Sequence, residues 1–149
     1  MLLLTLAALI PPPPGWTPPT ASGPGIFCGR AFRLEMSAAE RVAGQWPGEM
    51  FINDVYGTYH VTTSGRDVVV TEDGARTRPR GRSRPFTTGR TRFRAYGELL
   101  YSVAVAGNSP IRAITVRFPE HTSEAVARAL LSRVRLGVPT GTACLRPEE

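Results

Sequence analysis

Arginine is the residue type in this chain whose number and spacing could do chemistry. Residues 74–94 read GARTRPRGRSRPFTTGRTRFR and carry Arg76, Arg78, Arg80, Arg82, Arg84, Arg90, Arg92 and Arg94, with no acidic residue among them. The chain has 18 basic and 12 acidic residues and a net charge of +6. Without these eight arginines it would be slightly acidic, so the whole positive balance sits in one stretch. Guanidinium groups grip phosphate, sulfate and carboxylate through paired, fork-shaped contacts. The eight arginines are therefore the candidate anion-binding residues, and the partners they suit are a polyanion or an acidic protein. The plainer alternative is a solvated, flexible surface loop, which is what many charge runs are. Interleaved aromatics of the kind that stack single-stranded bases are lacking, with only Phe86 and Phe93 nearby, so no specific nucleic-acid motif is present. Every basic residue is arginine and none is lysine. A GC-rich coding sequence would account for part of that bias.

Other chemistry is thinner. His60, Asp54 and Ser64 lie close together in sequence and can be assembled on paper into a hydrolase-like Ser/His/Asp group. No GxSxG elbow accompanies them, and Ser64 precedes Gly65, where serine serves a turn. His121 falls at an expected helix start, where capping explains it. Glu49 and Asp54 could flank a cation, but no third ligand stands at metal spacing. There is no Gly-rich phosphate loop, HExxH or zinc pattern, so neither a metal nor a cofactor is expected.

The N-terminus bears on compartment. Residues 2–10 are apolar, the length of a signal-peptide core and too short to span a bilayer as a helix. A proline-rich stretch comes next, and Ala21, Ser22 and Gly23 offer small residues for cleavage. Against a standard signal, no basic residue precedes the apolar run. The reading is export to the periplasm or the extracellular space. In that setting the two cysteines, Cys28 and Cys144, are expected to form one disulfide.

The elements that must position the arginines can be read from periodicity. Residues 26–36 alternate from Phe32 onward and predict a strand. Ser37 and Glu40 match a capping box, which predicts a short helix ended by Trp46 and Pro47. Residues 50–63 and 67–72 predict strands joined at Ser64 and Gly65. Pro79, Gly81 and Pro85 exclude a helix from the first part of the basic stretch. Residues 90–96 read as a strand that turns arginines to solvent and Phe93 to a core. Residues 98–106 and 111–118 complete the sheet around a turn at residues 107–110. Residues 121–136 predict a helix with Val126, Leu130 and Val134 as its apolar stripe.

The expected fold is α+β: a single antiparallel sheet of about five to six strands, a C-terminal helix packed on one face and a short helix after the first strand. Residues 1–24 form the signal-like segment and Pro-rich linker. Residues 25–149 form one α+β domain with a basic loop at 74–90. The function expected is that of a small exported binding or accessory domain, not an enzyme, that contacts anionic ligands through the arginine loop. Two alternatives stand beside it: a structural or protein-interaction domain with a merely solvated loop, and a hydrolase-like enzyme using His60.

Overall fold

Strands of three to nine residues, rather than helical stripes, build the described part of the chain. A computed structural model of the protein describes residues 20–44 and 54–146, together with Pro14. In chain order these residues form β1 (Thr20–Ser22), β2 (Gly25–Cys28), β3 (Phe32–Met36), β4 (Arg41–Gly44), β5 (Val55–Thr63) and β6 (Arg66–Asp73). Then come β7 (Arg84–Thr88), β8 (Thr91–Tyr96), β9 (Leu100–Ala104), β10 (Ala113–Arg117), α1 (Glu124–Leu131) and β11 (Val134–Leu136). An eight-stranded antiparallel sheet has the order β1-β4-β5-β6-β10-β9-β8-β7, and a three-stranded sheet has the order β11-β3-β2. The strand at 111–118 is central, as its two apolar faces require: β10 lies between β6 and β9.

The α+β expectation of one sheet of five to six strands and two helices is overturned. The protein is mostly β, with eleven strands in two sheets and one short helix among the described residues. Two physical reasons account for the difference. The Ser37 amide does donate to Glu40 Oε1 at 2.7 Å, as a capping box would have it, and the Glu40 amide donates to the Ser37 carbonyl at 3.2 Å. That pairing closes a turn, however, and the chain leaves it extended as β4, because Val42 packs opposite Val61 in the core. The C-terminal helix is shorter than expected because its last predicted turn is β11, which pairs with β3. Val134 is buried as expected, but from a strand. The buried helical side chains are Ala127, Leu130 and Leu131, and the cap is Ser123, whose hydroxyl accepts from the Val126 amide.

The core lies between the sheets. Val61, Val68, Val70, Ile114, Val116, Tyr101 and Phe93 come from the large sheet. They form one cluster with Phe32, Leu34 and Met36 of β3 and with the buried face of α1. Glu72 of β6 lies fully buried among them. Its carboxylate accepts the amides of Arg30 and Ala31 at 2.8 and 2.7 Å and the Tyr59 hydroxyl at 2.6 Å. Burial and the adjacent Glu72 charge push the Tyr59 hydroxyl pKa well above its usual range.

Cys28 and Cys144 are joined, with Cα atoms 5.6 Å apart, and the Leu145 amide donates to the Ile26 carbonyl at 2.7 Å beside them. The bond closes a separation of 116 residues, which in the chain-entropy account stabilises by roughly 4–5 kcal/mol. β1 begins at Thr20, ahead of the boundary expected at residue 25, and Ala21 is buried opposite Val42. Gly23 donates its amide to the Glu40 carbonyl at 3.0 Å, and a side chain there would collide with the Ser37 carbonyl. The small residues Ala21, Ser22 and Gly23 are thus folded against the sheet.

This packing sets how the fold responds to mutation and to acid. Leu130→Ala empties a buried site and should cost about 2–5 kcal/mol in urea unfolding; a loss under about 1 kcal/mol would mean that Leu130 is not a core residue. For acid, the group that matters is Glu40. It is almost fully buried, and Arg133 grips both its carboxylate oxygens, with Nη2 2.7 Å from Oε2. Burial alone would raise the Glu40 pKa, but the Arg133 guanidinium, the Ser37 amide and the Thr63 hydroxyl outweigh it and lower it from 4.5 to about 2. A depressed carboxylate stabilises the fold above its unfolded pKa and loses that contribution as pH falls through its folded one. Denaturant midpoints should therefore drop between pH 4.5 and about 2. Glu40→Gln should lower stability at pH 7 and flatten that drop, and an unchanged pH profile would refute the role.

Candidate functional site

The basic loop is held down at its root by Asp54. Its Oδ2 accepts the Arg76 amide at 2.9 Å, and its Oδ1 accepts the Tyr56 hydroxyl at 3.0 Å. Its carbonyl accepts the Gly74 amide at 2.9 Å and the Thr77 hydroxyl at 2.8 Å. The Arg76 amide, helped by the Tyr56 hydroxyl and the Arg76 charge, holds the Asp54 carboxyl below its usual range against a smaller opposing effect of desolvation. Glycine at residue 74 leaves room for this anchor, since a Cβ there would collide with the Asp54 carboxylate.

From this root, residues 74–83 cross the face of the large sheet that points away from the core. The loop is shorter than the 74–90 expected, because residues 84–88 form β7 and pair with β8. As expected, β8 turns Phe93 inward, where it is buried, and Arg92 and Arg94 outward. Beneath the loop lies a cleft of about 270 Å³ lined by Arg78, Pro79, Arg80, Arg94, Tyr96, Ser102, Ala104, Arg112 and Ala113. Four arginines thus line it, and among the described residues no carboxylate does.

Three of the four are held by neutral oxygens. Arg94 donates to the Ser83 hydroxyl at 2.9 Å and the Ser83 carbonyl at 3.0 Å. Arg112 donates to the Gly107 carbonyl at 3.0 Å, and Arg80 to the Ala75 carbonyl at 3.2 Å. A second hollow of about 240 Å³ adjoins the cleft at Pro79 and holds Asp73 with Thr71, Thr77 and Thr115. Burial raises the Asp73 carboxyl pKa, while hydrogen bonds from Thr115, Thr71 and Thr77 oppose the rise.

The eight arginines of the sequence do not form one group. Arg78, Arg80 and Arg94 line the cleft. Arg76 stays at the root, with Nε 3.9 Å from Asp54. Arg84 faces α1, 3.6 Å from Glu124. That contact replaces the helical Glu124 and Arg128 pairing which their spacing suggests; Arg128 instead lies over the Phe86 ring and donates to the Thr87 carbonyl. Arg82 comes after Gly81 on the exposed side of the loop, and Arg90 and Arg92 border a separate cleft at the end of β8. Arg112 lies outside the expected set. It stands eighteen residues from the basic stretch, and only the pairing of β10 with β9 and β6 brings it near.

The hydrolase-like group is not assembled. Asp54 and Ser64 flank opposite ends of β5, a nine-residue strand, which separates them by about 30 Å at strand rise. His60 instead lies 3.3 Å from Asp67 across the hairpin, both well exposed. His121 sits in a left-handed turn before α1 and does not cap it. Glu49 lies outside the described residues. Among the described residues no group of three His, Cys, Asp or Glu side chains could hold a metal, and no helix is long and apolar enough to cross a membrane. The chain matches no known protein family, no curated protein and no solved structure.

The anchoring of the loop can be measured. Asp54→Ala removes the acceptor of the Arg76 amide, so trypsin should cut after Arg80 and Arg82 several times faster than in the parent, with the fragments read by mass spectrometry. Because the Asp54 pKa is depressed, amide hydrogen exchange in the parent loop should stay protected above about pH 4, the ordinary aspartate range, and lose protection only as pH falls below it. Equal cleavage in both proteins would show that Asp54 does not hold the loop.

Proposed function

We propose that this chain is a small exported binding module that captures anionic ligands in the cleft beneath its arginine loop. The observation that carries this is the convergence of Arg78, Arg80, Arg94 and Arg112 on one concave space of about 270 Å³ with no carboxylate among the described residues of its lining. Guanidinium groups around a recess suit tetrahedral and planar oxyanions, which can take two parallel N–H donors from each. Fixing Arg80, Arg94 and Arg112 on neutral oxygens reduces the ordering cost of binding without cancelling charge.

Several features support this reading over its alternatives. A merely solvated loop would not need the Asp54 anchor. At the β7 edge of the large sheet, which borders the arginine loop, Pro85 and the exposed Arg84 discourage the strand addition that an interaction protein could use. Tyr96 is the one aromatic ring among the described residues of the cleft, too little for a base-stacking surface. Export is supported by the Cys28–Cys144 disulfide and the apolar run at residues 2–10. Processing would then fall upstream of Thr20, so that β1 is kept.

Binding of inorganic pyrophosphate, measured by titration calorimetry, tests the cleft. Arg78→Ser with Arg80→Ser should weaken it by about tenfold or more, since charge-assisted hydrogen bonds are lost. Arg82→Ser, outside the cleft, should change it little. Affinity should also fall as salt rises, because charges more than about 8 Å apart are screened at physiological ionic strength. Equal affinity in the double variant and the parent would remove the cleft from the account.

A further inference from the structure

We infer that the ligand is a flexible linear polyanion, a chain of tetrahedral oxyanions that spans two arginine clefts. The second cleft extends the anion-binding reading above, on which this proposal rests. Where the small sheet meets the end of β8 and β9, a larger recess of about 560 Å³ is bordered by Arg33, Arg90, Arg92 and Arg135, again with no carboxylate among the described residues. Ala104 lines both recesses, so they adjoin. Arg94 of the first cleft and Arg92 of the second are alternate residues on the same face of β8, about 7 Å apart along the strand. A continuous basic band therefore runs from the loop along β8 to the small sheet.

The second cleft has its own reason to want an anion. Arg33 and Arg135 are directly opposed in the antiparallel pairing of β3 and β11. Like charges in that position destabilise a sheet. Arg33 gives one of its donor nitrogens to the Leu136 and Gly137 carbonyls at 2.9 and 2.8 Å, which holds it in place without neutralising it. Glu35, two residues further along β3, does not line the recess, and its charge acts on Arg133 instead. A small anion in the first cleft would leave these four arginines facing one another. A chain long enough to cross Ala104 would satisfy both groups at once, and its affinity should grow with length through the second, intramolecular contact.

The test uses the full chain with linear inorganic polyphosphates of increasing length, starting at pyrophosphate, and sulfated oligosaccharides of matched charge as a second series. In the parent, affinity should rise with length beyond pyrophosphate. In Arg90→Ser with Arg135→Ser, the pyrophosphate binding that depends on Arg78 and Arg80 should persist while the gain with length disappears. The slope of log affinity against log salt for the long chains should also become shallower, by roughly 0.7–0.9 for each arginine removed. A gain in one series and not the other assigns the chain to phosphate or to sulfate. Unfolding midpoints equal to the parent's would show that the variant is intact. If the midpoint falls, Arg90→Ser alone, which changes only a hairpin turn, should still reduce the gain. Pyrophosphate binding that depends on Arg78 and Arg80 but shows no gain with length would overturn this inference alone. A parent that binds neither short nor long chains would overturn both readings.

Discussion

A single buried carboxylate joins the two sheets. Glu72 has no exposed surface, and it is surrounded by apolar groups on the inner face of β6. Such a group is tolerated only with its oxygens fully engaged. Here the partners are the amides of Arg30 and Ala31, in the link between β2 and β3, and the hydroxyl of Tyr59 on the neighbouring strand. Tyr59 in turn packs edge-on against Phe27 and Phe32, at 5.3 and 5.4 Å between ring centres. Gly57 leaves the room this requires, since a Cβ there would crowd both the carboxylate and the hydroxyl. The small sheet is thus docked by a polar contact inside an apolar interface, which fixes its position more narrowly than hydrophobic packing alone.

The consequences run outward along β6. Residues alternate across a strand, so with Glu72 facing the core, Asp73 faces the opposite side, beneath the loop. Gly74 then begins the loop itself, tied to Asp54. Three consecutive residues therefore couple the docking of the small sheet, the hollow beside the cleft and the path of the arginines. The same docking places β3 and β11 against the end of β8, with the Thr91 hydroxyl 3.5 Å from the Val134 carbonyl. Arg33 and Arg135 reach the basic band only because of that contact. The disulfide acts from the far side of the small sheet, closing β2 onto the C-terminal segment.

How much of this the sequence made legible depends on the range of the interaction. The longer strands are visible in the sequence, β8 as alternation and β5, β6 and β10 as runs rich in aromatic and β-branched residues. β1 and β11 have three residues each and β2 and β4 have four, too few to establish any period. The Ser37 and Glu40 pair is visible as a hydrogen-bonded motif, yet the same local contact closes a turn as readily as it caps a helix. The choice of strand after that turn is made by Val42 and by Arg133, 93 residues from Glu40. The cleft is legible in its loop and β8 arginines and hidden in Arg112. Glu72 carries no local sign of burial, because its partners are two backbone amides about forty residues away. The cysteine pairing was legible because the chain has only two cysteines.

Arginine has two distinct uses in this chain, and the distinction supports the reading of the site. Arg133 is gripped by Glu40, Arg84 lies near Glu124, and Arg76 lies near Asp54. Each of these arginines has a carboxylate counter-charge and secures a turn, a helix or a loop root. Arg80, Arg94 and Arg112 are positioned instead by the carbonyls of Ala75, Ser83 and Gly107, and Arg33 by those of Leu136 and Gly137. A carbonyl dipole orients a guanidinium but leaves its net charge in place. Surface arginines serving only solubility would gain little from such fixing, because ordering a long side chain costs rotamer entropy. Charges that are ordered yet left uncompensated around a concave surface repel one another within a screening length. On the proposed reading an anionic ligand would relieve that repulsion, so the same geometry that weakens the empty cleft would strengthen the filled one.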